Sequence, residues 1–546
     1  MSILRNDGLL ALLTKISVLL AAQKKQGYIV GGFVRDWLLK RETNDVDITV
    51  NGDSIAIARK VARETGGRFV LLDGINNIAR VVVLESQDRE ATSESRESPG
   101  PEWHFDFSSF ARDIESDLAR RDFTINAMAL ELGSVVAAGA SAATSHRKPP
   151  KAPAESRSTI KLLDPFSGKE DLKNKTIRAV SEGVFEADSA RLLRAVRLAA
   201  ELDFSIESTT ESLIARYSGG AAEVPGERTR EELLRLLARP RAAYYLRYLD
   251  RLGLLLALIP ELGASKGVEQ PTMHFWDVFE HSLHTVGALE FLIRESDWEY
   301  GNDAMLPVAP WSDAIEKHLS TGVSRGSNHR VLLKLAGLLH DIAKPETKTI
   351  DDTGRARFLG HTKQGATVTT NIMERLRFSN REVKLVESLV YNHLRPAQMT
   401  DGEFPTRKAI YRYFRDTGDG GIDILLLALA DYLASRGPLV SMEEWRRHCR
   451  LMNYVLEEHD KQQSEILPVK LIDGNDIMSA FGLTPGPLIG KLLATANEAH
   501  ASGELSTREE ALALVHRELS AASKKPEAPG RSRNSAARTI PGAKAD

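Results

Sequence analysis

Asp45 and Asp47 stand one residue apart in a run, Asp45-Val46-Asp47-Ile48-Thr49-Val50, whose β-branched residues read as a strand. On a strand, positions i and i+2 share a face, so both carboxylates point to one place. Like charges held that close repel unless a cation lies between them, and Mg²⁺ is the natural partner because it binds through one or two carboxylates plus substrate phosphates. Upstream, an apolar strand runs into Gly31-Gly32, and a helical pattern carrying Arg35 follows at once. Two glycines allow a tight turn and close backbone approach to a ligand, and a helix start offers free amides to an anion. Carboxylate pair, glycine turn and Arg35 together read as a triphosphate site.

Two further groupings lie downstream. In FEADSARLLRAVR, residues 185–197, the pattern predicts the opening of a long helix. There Asp188 and Arg191 stand three apart on one face, with Arg194 a turn further on. An acceptor-only carboxylate beside a planar donor fork can satisfy the Watson–Crick edge of cytosine or adenine. Between Arg178 and Arg251 every basic side chain is arginine, which suits phosphate and base-edge contacts. Further on comes a spaced series of imidazoles and carboxylates: His281, the adjacent His340-Asp341 closing an apolar helix, His361, His393 and Asp431. Buried imidazole and carboxylate gain from such placement only when paired or bound to metal, and this mixture suits a divalent transition ion or Mg²⁺.

The elements that must carry these residues define an α+β chain. Strand patterns at residues 27–30, 46–50, 68–72, 79–84 and 104–107 alternate with helical stretches at 34–40 and 54–65, giving a small α/β head. From residue 189 onward amphipathic helices dominate, giving an all-α body. Two biased segments, 86–101 (Ser, Glu, Arg, Pro) and 134–158 (Ala, Ser, Lys, Pro), are expected to be mobile insertions, and 522–546 a disordered tail. The expected units are 1–178, 179–263, 264–460 and 461–521, followed by the tail. The net charge of −3 provides no bulk attraction to nucleic acid, so any RNA contact must be local. Cys449, the single cysteine, excludes an intrachain disulfide framework. The apolar run at 9–22 is short for a membrane span and carries Lys15, so it reads as an amphipathic helix and the protein as cytoplasmic, with no membrane partner.

GGFVRDWLLKRETNDVDITV, residues 31–50, resembles the signature of the class II tRNA nucleotidyltransferases and bacterial poly(A) polymerases, of the polymerase-β superfamily. The resemblance implies that Asp45 and Asp47 hold two Mg²⁺ ions and that Asp106, in HFDFSSFAR, is the third catalytic carboxylate. It extends through DLARRDFTINAMAL, residues 117–130, and implies that Arg121, Asp122 and Asn126 bind ribose and phosphates. It makes Asp188 and Arg191 the amino-acid template that selects CTP and ATP, although Ala187 replaces the acidic residue such proteins usually carry there. GERTREELLRLL, residues 226–237, resembles the next motif, with Arg228 and Glu232 expected to be structural.

The histidine–aspartate series resembles the HD superfamily of metal-dependent phosphohydrolases. This implies that His281, His340, Asp341 and Asp431 ligate a divalent metal, that Lys344 stabilises phosphoryl oxygens, and that His361 and His393 complete the site or grip phosphate. The whole resembles bacterial tRNA nucleotidyltransferases fused to an HD domain, which implies CCA addition to the tRNA 3′ end plus a phosphatase or 2′,3′-cyclic phosphodiesterase for end repair. CC-adding, A-adding and poly(A)-polymerase activities use the same chemistry and stay open. So does a phosphohydrolase whose head merely binds RNA. A non-enzymatic scaffold conflicts with two sets of metal-ligand residues.

Overall fold

The computed structural model describes residues 6–84, 102–144, 160–271, 273–399, 402–466 and 470–523. The expected insertion at 86–101, most of the one at 134–158 and nearly all of the tail lie outside these residues. The N-terminal part runs α1 (Asp7–Ala22), β1 (Gly27–Val30), α2 (Gly32–Leu38), β2 (Asp45–Val50), α3 (Ser54–Thr65), β3 (Arg68–Asp73), β4 (Ile78–Leu84), β5 (Glu102–Ser109), α4 (Ile114–Leu118), β6 (Ala129–Glu131), α5 (Leu132–Thr144) and β7 (Leu162–Leu163). The seven strands form one sheet in the order β3-β4-β5-β2-β1-β6-β7. β2 and β5 are parallel, with Asp45 opposite His104 and Asp47 opposite Asp106.

Alternation builds the sheet. Val46, Ile48, Phe105 and Phe107 are fully buried on one face, which forces Asp45, Asp47 and Asp106 onto the other. Leu9, Leu13, Ile16 and Leu20 put a buried stripe on α1, as the helical spacing predicts. Asp53 caps α3 by accepting the amide of Ala56, and Gly66 ends it in the left-handed conformation.

Two expectations need correction. Residues 134–144 are not part of a mobile insertion but lie within α5, where Val135 and Ala138 are buried. The alanines that weaken a case for a large core are strong helix formers, and the small residues allow close packing of α5 on α1. The helix expected across 185–197 is broken. α6 (Gly168–Lys173) is followed by α7 (Val184–Ala187), and α8 starts only at Ala190. Asp188 between them is extended, at φ −159° and ψ 101°, and its carboxylate accepts the Ala190 amide at 3.1 Å. Its acceptor oxygen competes with a continuing backbone ladder, which is why the helix stops there.

The remaining body is helical, and one apolar cluster runs unbroken from Leu9 to Val455. A separate cluster from Ile472 to Val515 forms the C-terminal part. It is tied to the body by Glu498, which pairs with Arg412 at 2.5 Å and Arg415 at 3.2 Å. Among the described residues no helix is long and apolar enough to cross a membrane.

The neck and the histidine-rich helices meet around a buried lysine. Lys334 is 0% exposed, and its Nζ donates to the carbonyls of Leu237 at 2.9 Å and Arg239 at 3.0 Å and to Glu290 Oε1 at 3.1 Å. Glu290 in turn accepts the amides of Ala242 and Ala243 at 2.7 and 3.1 Å. The Lys334 Nζ also pairs with Glu295, so removing the lysine leaves two carboxylates and two carbonyls uncompensated, and Lys334→Met should destabilise the helical body by about 3–5 kcal/mol. Urea unfolding followed by circular dichroism measures this, and a loss under about 1 kcal/mol, typical of an exposed pair, would contradict it.

Candidate functional site

The first centre sits where β2 and β5 present their carboxylates beside the β1–α2 bend. Gly31, at φ +71°, makes that bend, and a Cβ there would stand 2.8 Å from both Arg121 Nη1 and Asp47 Oδ2. A side chain at this position would therefore be strained and would collide with the site, so glycine is required. Asp106 is gripped by both arms of Arg80, at 2.7 and 2.8 Å. Asp45 faces His104 Nδ1 at 3.0 Å. Burial raises the Asp47 carboxyl to about 6, Asp106 and Asp45 add to the rise, and Arg121 and Arg80 oppose it. The arrangement is a crowded, anion-rich recess that a divalent cation would relieve.

Arg35, expected at the phosphates, is turned inward. Its Nε and Nη2 hold Asp36 at 3.0 and 2.8 Å, and its Nη1 donates to Asn126 Oδ1 at 2.9 Å. Arg121 is the guanidinium beside Asp47. From Asn126 the network continues to Asp122 at 3.0 Å, then to Arg194 at 3.3 Å, and from Arg194 to Glu232 at 3.0 Å. Burial works to raise the Asp122 carboxyl, but Arg194, Asn126 and the Phe123 amide outweigh it and hold it below its ordinary value. Asn126, Asp122 and Arg194 thus link the head to the neck.

A cleft of about 250 Å³ opens between them, lined by Arg121, Asp122, Asp188, Arg191 and Arg194 among others. Asp188 and Arg191 do meet there, at 3.9 Å, although not as neighbours on one helix face. Arg191 also donates to the Arg120 carbonyl at 2.9 Å. Arg228, expected only to be structural, clasps Asp188 bidentately at 2.9 and 2.7 Å, a partnership the sequence did not indicate. Its position at the start of the helix Gly226–Leu237 offered only a motif likeness as a signal. Glu186, near the departure at Ala187, is engaged by the Tyr217 hydroxyl at 2.7 Å.

The second centre gathers residues from five helices and their ends. His281 comes from the helix Val278–Leu292, His340 and Asp341 from the end of His329–Leu339, His361 from the start of His361–Arg375, and Asp431 from Gly421–Arg436. His393 caps the end of Asn380–Asn392. His281 Nε2 lies 3.2 Å from His340 Nε2, 3.4 Å from Asp341 and 3.1 Å from Asp431. His361 and His393 approach the other Asp341 oxygen at 3.5 and 3.8 Å. The Nδ1 atoms of His340, His361 and His393 each meet a main-chain carbonyl, of Gly337, Phe358 and Val390. Those contacts fix the tautomer and aim each Nε2 lone pair inward, as metal-ligating imidazoles require. Burial is the largest influence on His393 and pushes it down to about 4, with the His340 charge acting the same way, so it is neutral and able to ligate at pH 7.

Both Asp341 oxygens, His361 Nε2 and His393 Nε2 are buried without a hydrogen bond among the described residues, so the donor set fits a divalent cation. Three overlapping trios of potential ligands share Asp341, His340 and His393. Lys344 is not free for a substrate phosphate, because its Nζ contacts Asp341 at 2.5 Å and donates to Gln270 at 2.7 Å. A cavity of about 920 Å³ leads outward from His361, His393 and Asp431 past Arg357, Arg436 and Arg447.

Comparison with known proteins matches three family models: a poly(A) polymerase head domain over residues 27–178, a probable RNA- and SrmB-binding site of polymerase A over 203–265, and an HD domain over 278–436. The chain is 33% identical to an A-adding tRNA nucleotidyltransferase of Deinococcus radiodurans, over 90% of this chain and 94% of that one. It is 31% identical to a CC-adding tRNA nucleotidyltransferase of Thermus thermophilus, over 90% and 93%. Its fold is similar to that of a Thermotoga maritima CCA-adding enzyme complexed with tRNA, at a TM-score of 0.57 and 20% identity, covering 94% of this chain and 96% of that one.

The raised Asp47 carboxyl makes a pH prediction. Because the folded value of about 6 exceeds the ordinary aspartate value of 3.8, the cation-free fold binds the extra proton and is favoured at low pH. That advantage is lost as pH rises through the folded value. A cation competes with the same proton, so apparent Mn²⁺ affinity of the head should weaken by about fivefold as pH falls from about 6 to about 5. Mn²⁺ titration by electron paramagnetic resonance, on protein carrying His340→Ala and Asp341→Ala, reads this directly. A pH-independent affinity, or an unchanged slope in Asp47→Asn, would contradict it.

Proposed function

The chain belongs to the family of tRNA nucleotidyltransferases with a poly(A)-polymerase-type head, and from that premise we propose that it adds nucleotides to the 3′ end of tRNA without a nucleic-acid template, drawing on CTP and ATP to build CCA. The observation that carries this reading is the row of Asp45, Asp47 and Asp106 beside the Gly31 bend, with Arg121 standing both next to Asp47 and in the wall of the cleft that Asp188 and Arg191 line.

In this reading Asp45 and Asp47 would hold two Mg²⁺ ions, with Asp106 completing the carboxylate set; the ions would supply charge to offset the triphosphate and to favour attack by the RNA 3′-hydroxyl. Gly31 lets the triphosphate approach the main chain, and Arg121 sets a guanidinium beside Asp47 for its oxygens. The Arg35–Asn126–Asp122–Arg194 network positions the cleft wall. Asp188 and Arg191 offer an acceptor and a donor fork to a base edge, and the Arg228 clasp sets the direction of the Asp188 carboxylate. An acceptor beside a donor fork suits cytosine and adenine, whose exocyclic amines donate and whose neighbouring ring nitrogens accept.

The second centre is assigned a phosphohydrolase role on RNA ends. His281, His340, Asp341 and Asp431 would hold a divalent ion there, which supplies charge for water attack on phosphorus. His361 and His393, on the far side of Asp341, would hold a second ion or a phosphate. The arginine-lined cavity suits a phosphorylated 3′ end. A second reading, a single partial reaction, is favoured by one observation: the relatives matched along nine-tenths of the chain carry A-adding and CC-adding names.

Transcripts ending at the discriminator base, at C and at CC, each given CTP, ATP or both, decide between these readings. Ordered C, C and A addition followed by arrest supports the first, while CTP-only or ATP-only incorporation identifies a partial reaction. Asp45→Ala with Asp47→Ala should lower incorporation by at least about a hundredfold while sparing metal-dependent hydrolysis of a 2′,3′-cyclic phosphate. His340→Ala with Asp341→Ala should do the reverse. If either folded double variant lost both activities, the two centres would not be separate.

A further inference from the structure

His318, His329 and Asp423 form a third cluster, one that neither centre uses. His318 lies near the end of the helix Asp313–Ser320, His329 opens the helix His329–Leu339, and Asp423 sits in the first turn of Gly421–Arg436. The last two helices carry His340 and Asp431 of the hydrolytic centre at their other ends. At 1.5 Å per residue, the cluster is about 16 Å from the first and about 12 Å from the second along the helices. It is therefore a place of its own.

The three side chains converge on one point. His318 Nε2 lies 2.7 Å and His329 Nδ1 2.9 Å from the same oxygen, Asp423 Oδ2. Their ligand atoms all fall within 4.8 Å of one another. Asp423 is 0% exposed, and its second oxygen, Oδ1, is buried with no hydrogen bond among the described residues. A cluster serving only as a hydrogen-bonded brace would leave that oxygen empty, at a cost of about 1–3 kcal/mol, while crowding two imidazoles onto its neighbour. Two imidazoles and one carboxylate directed at a common point are instead a first-row transition-metal donor set.

We propose that His318, His329 and Asp423 bind a divalent transition ion of the zinc class, fastening the segment that carries the helix Asp313–Ser320 to the two helices that build the hydrolytic centre. As ligands the two imidazoles would be neutral donors, so the buried carboxylate charge would be left for a dication to offset. Geometry requires a small adjustment. Zinc bonds of about 2.0–2.1 Å in a tetrahedron place ligand atoms roughly 3.3 Å apart, so the three atoms must open by about half an ångström. His318 has that freedom, since its side chain is 17% exposed while Asp423 is fully enclosed. The same exposure admits a water as fourth ligand. Between the two histidines the short hairpin of Gly322–Ser324 and Ser327–Asn328 closes back on itself, so the ion would also pin the base of that hairpin.

The test uses the full chain with Asp45→Ala, Asp47→Ala, His340→Ala and Asp341→Ala, which interrupts every other trio of ligands named above. After exposure to Zn²⁺ and desalting, this protein should retain about one equivalent of zinc, and Co²⁺ in its place should give the visible absorption of a tetrahedral site. Adding His318→Gln and Asp423→Asn, which keep shape and hydrogen-bonding capacity, should reduce the metal to background. A folded four-site variant that retains no zinc would overturn the proposal, and so would zinc that survives the two further changes. Should those changes prevent folding, anomalous diffraction from the zinc-loaded four-site variant decides. Zinc seated among His318, His329 and Asp423 sustains the site, and zinc seated elsewhere refutes it.

Discussion

Repulsion among three carboxylates organises the head. Asp45, Asp47 and Asp106 share one face only because β2 and β5 run parallel in a register that sets Asp47 against Asp106. A slip of one residue would turn Val46 and Phe105 outward and bury the acids, so apolar burial beneath the sheet is what holds the charges together above it. The surrounding cations are distributed to make this tolerable without cancelling it. Arg80 neutralises Asp106 closely, whereas Arg121 only approaches Asp47, whose carboxyl stays raised by burial. The site keeps an unbalanced negative charge at the point where the main chain, through Gly31, comes nearest.

From that recess a relay of side chains reaches the neck. Arg35, Asn126, Asp122, Arg194 and Glu232 are joined end to end, and Arg197 closes the series on Glu232 at 2.8 Å. Such a chain has few alternative arrangements, because each donor fork would lose a charged partner by moving. The histidine–aspartate centre is fixed by different means, with main-chain carbonyls holding three imidazoles from behind. Lys334 and Glu290 join the neck to that region without entering either centre. Mechanical connection and chemical independence are therefore compatible in this chain.

What was legible in the sequence was what depends on near neighbours. The i, i+2 aspartates, the glycine bend and the adjacent His340-Asp341 require only strand or helix periodicity, and α3 falls on the residues its pattern predicts. Tertiary partners were hidden. Arg80 pairs with Asp106 across a strand reached through an intervening segment, and Arg228 meets Asp188 across forty positions. Arg35 was misread because a guanidinium one turn into a helix is as able to brace its own domain as to face a ligand. Residues 134–144 were misread because alanine-rich composition signals low burial and high helix propensity at once. His318 and His329 gave no signal, since a spacing of eleven suits one face of a single helix, whereas the two residues stand on separate helices joined by a hairpin.

The break at Asp188 bears on how a base is chosen. Had Asp188 and Arg191 shared a helix face, their geometry would be an internal property of that helix, and selectivity could be read from two residues. Instead Asp188 is extended, fixed by the Ala190 amide and by the fork of Arg228 from another helix, while Arg191 is anchored to the carbonyl of Arg120 in the head. The acceptor and the donor proposed to face a base thus belong to different frames, one set by the neck and one by its contact with the head. Small changes in how these parts meet would alter the spacing between acceptor and donor with every motif residue unchanged. On the proposed reading, the choice of base would then depend on the junction between these elements as well as on the two residues.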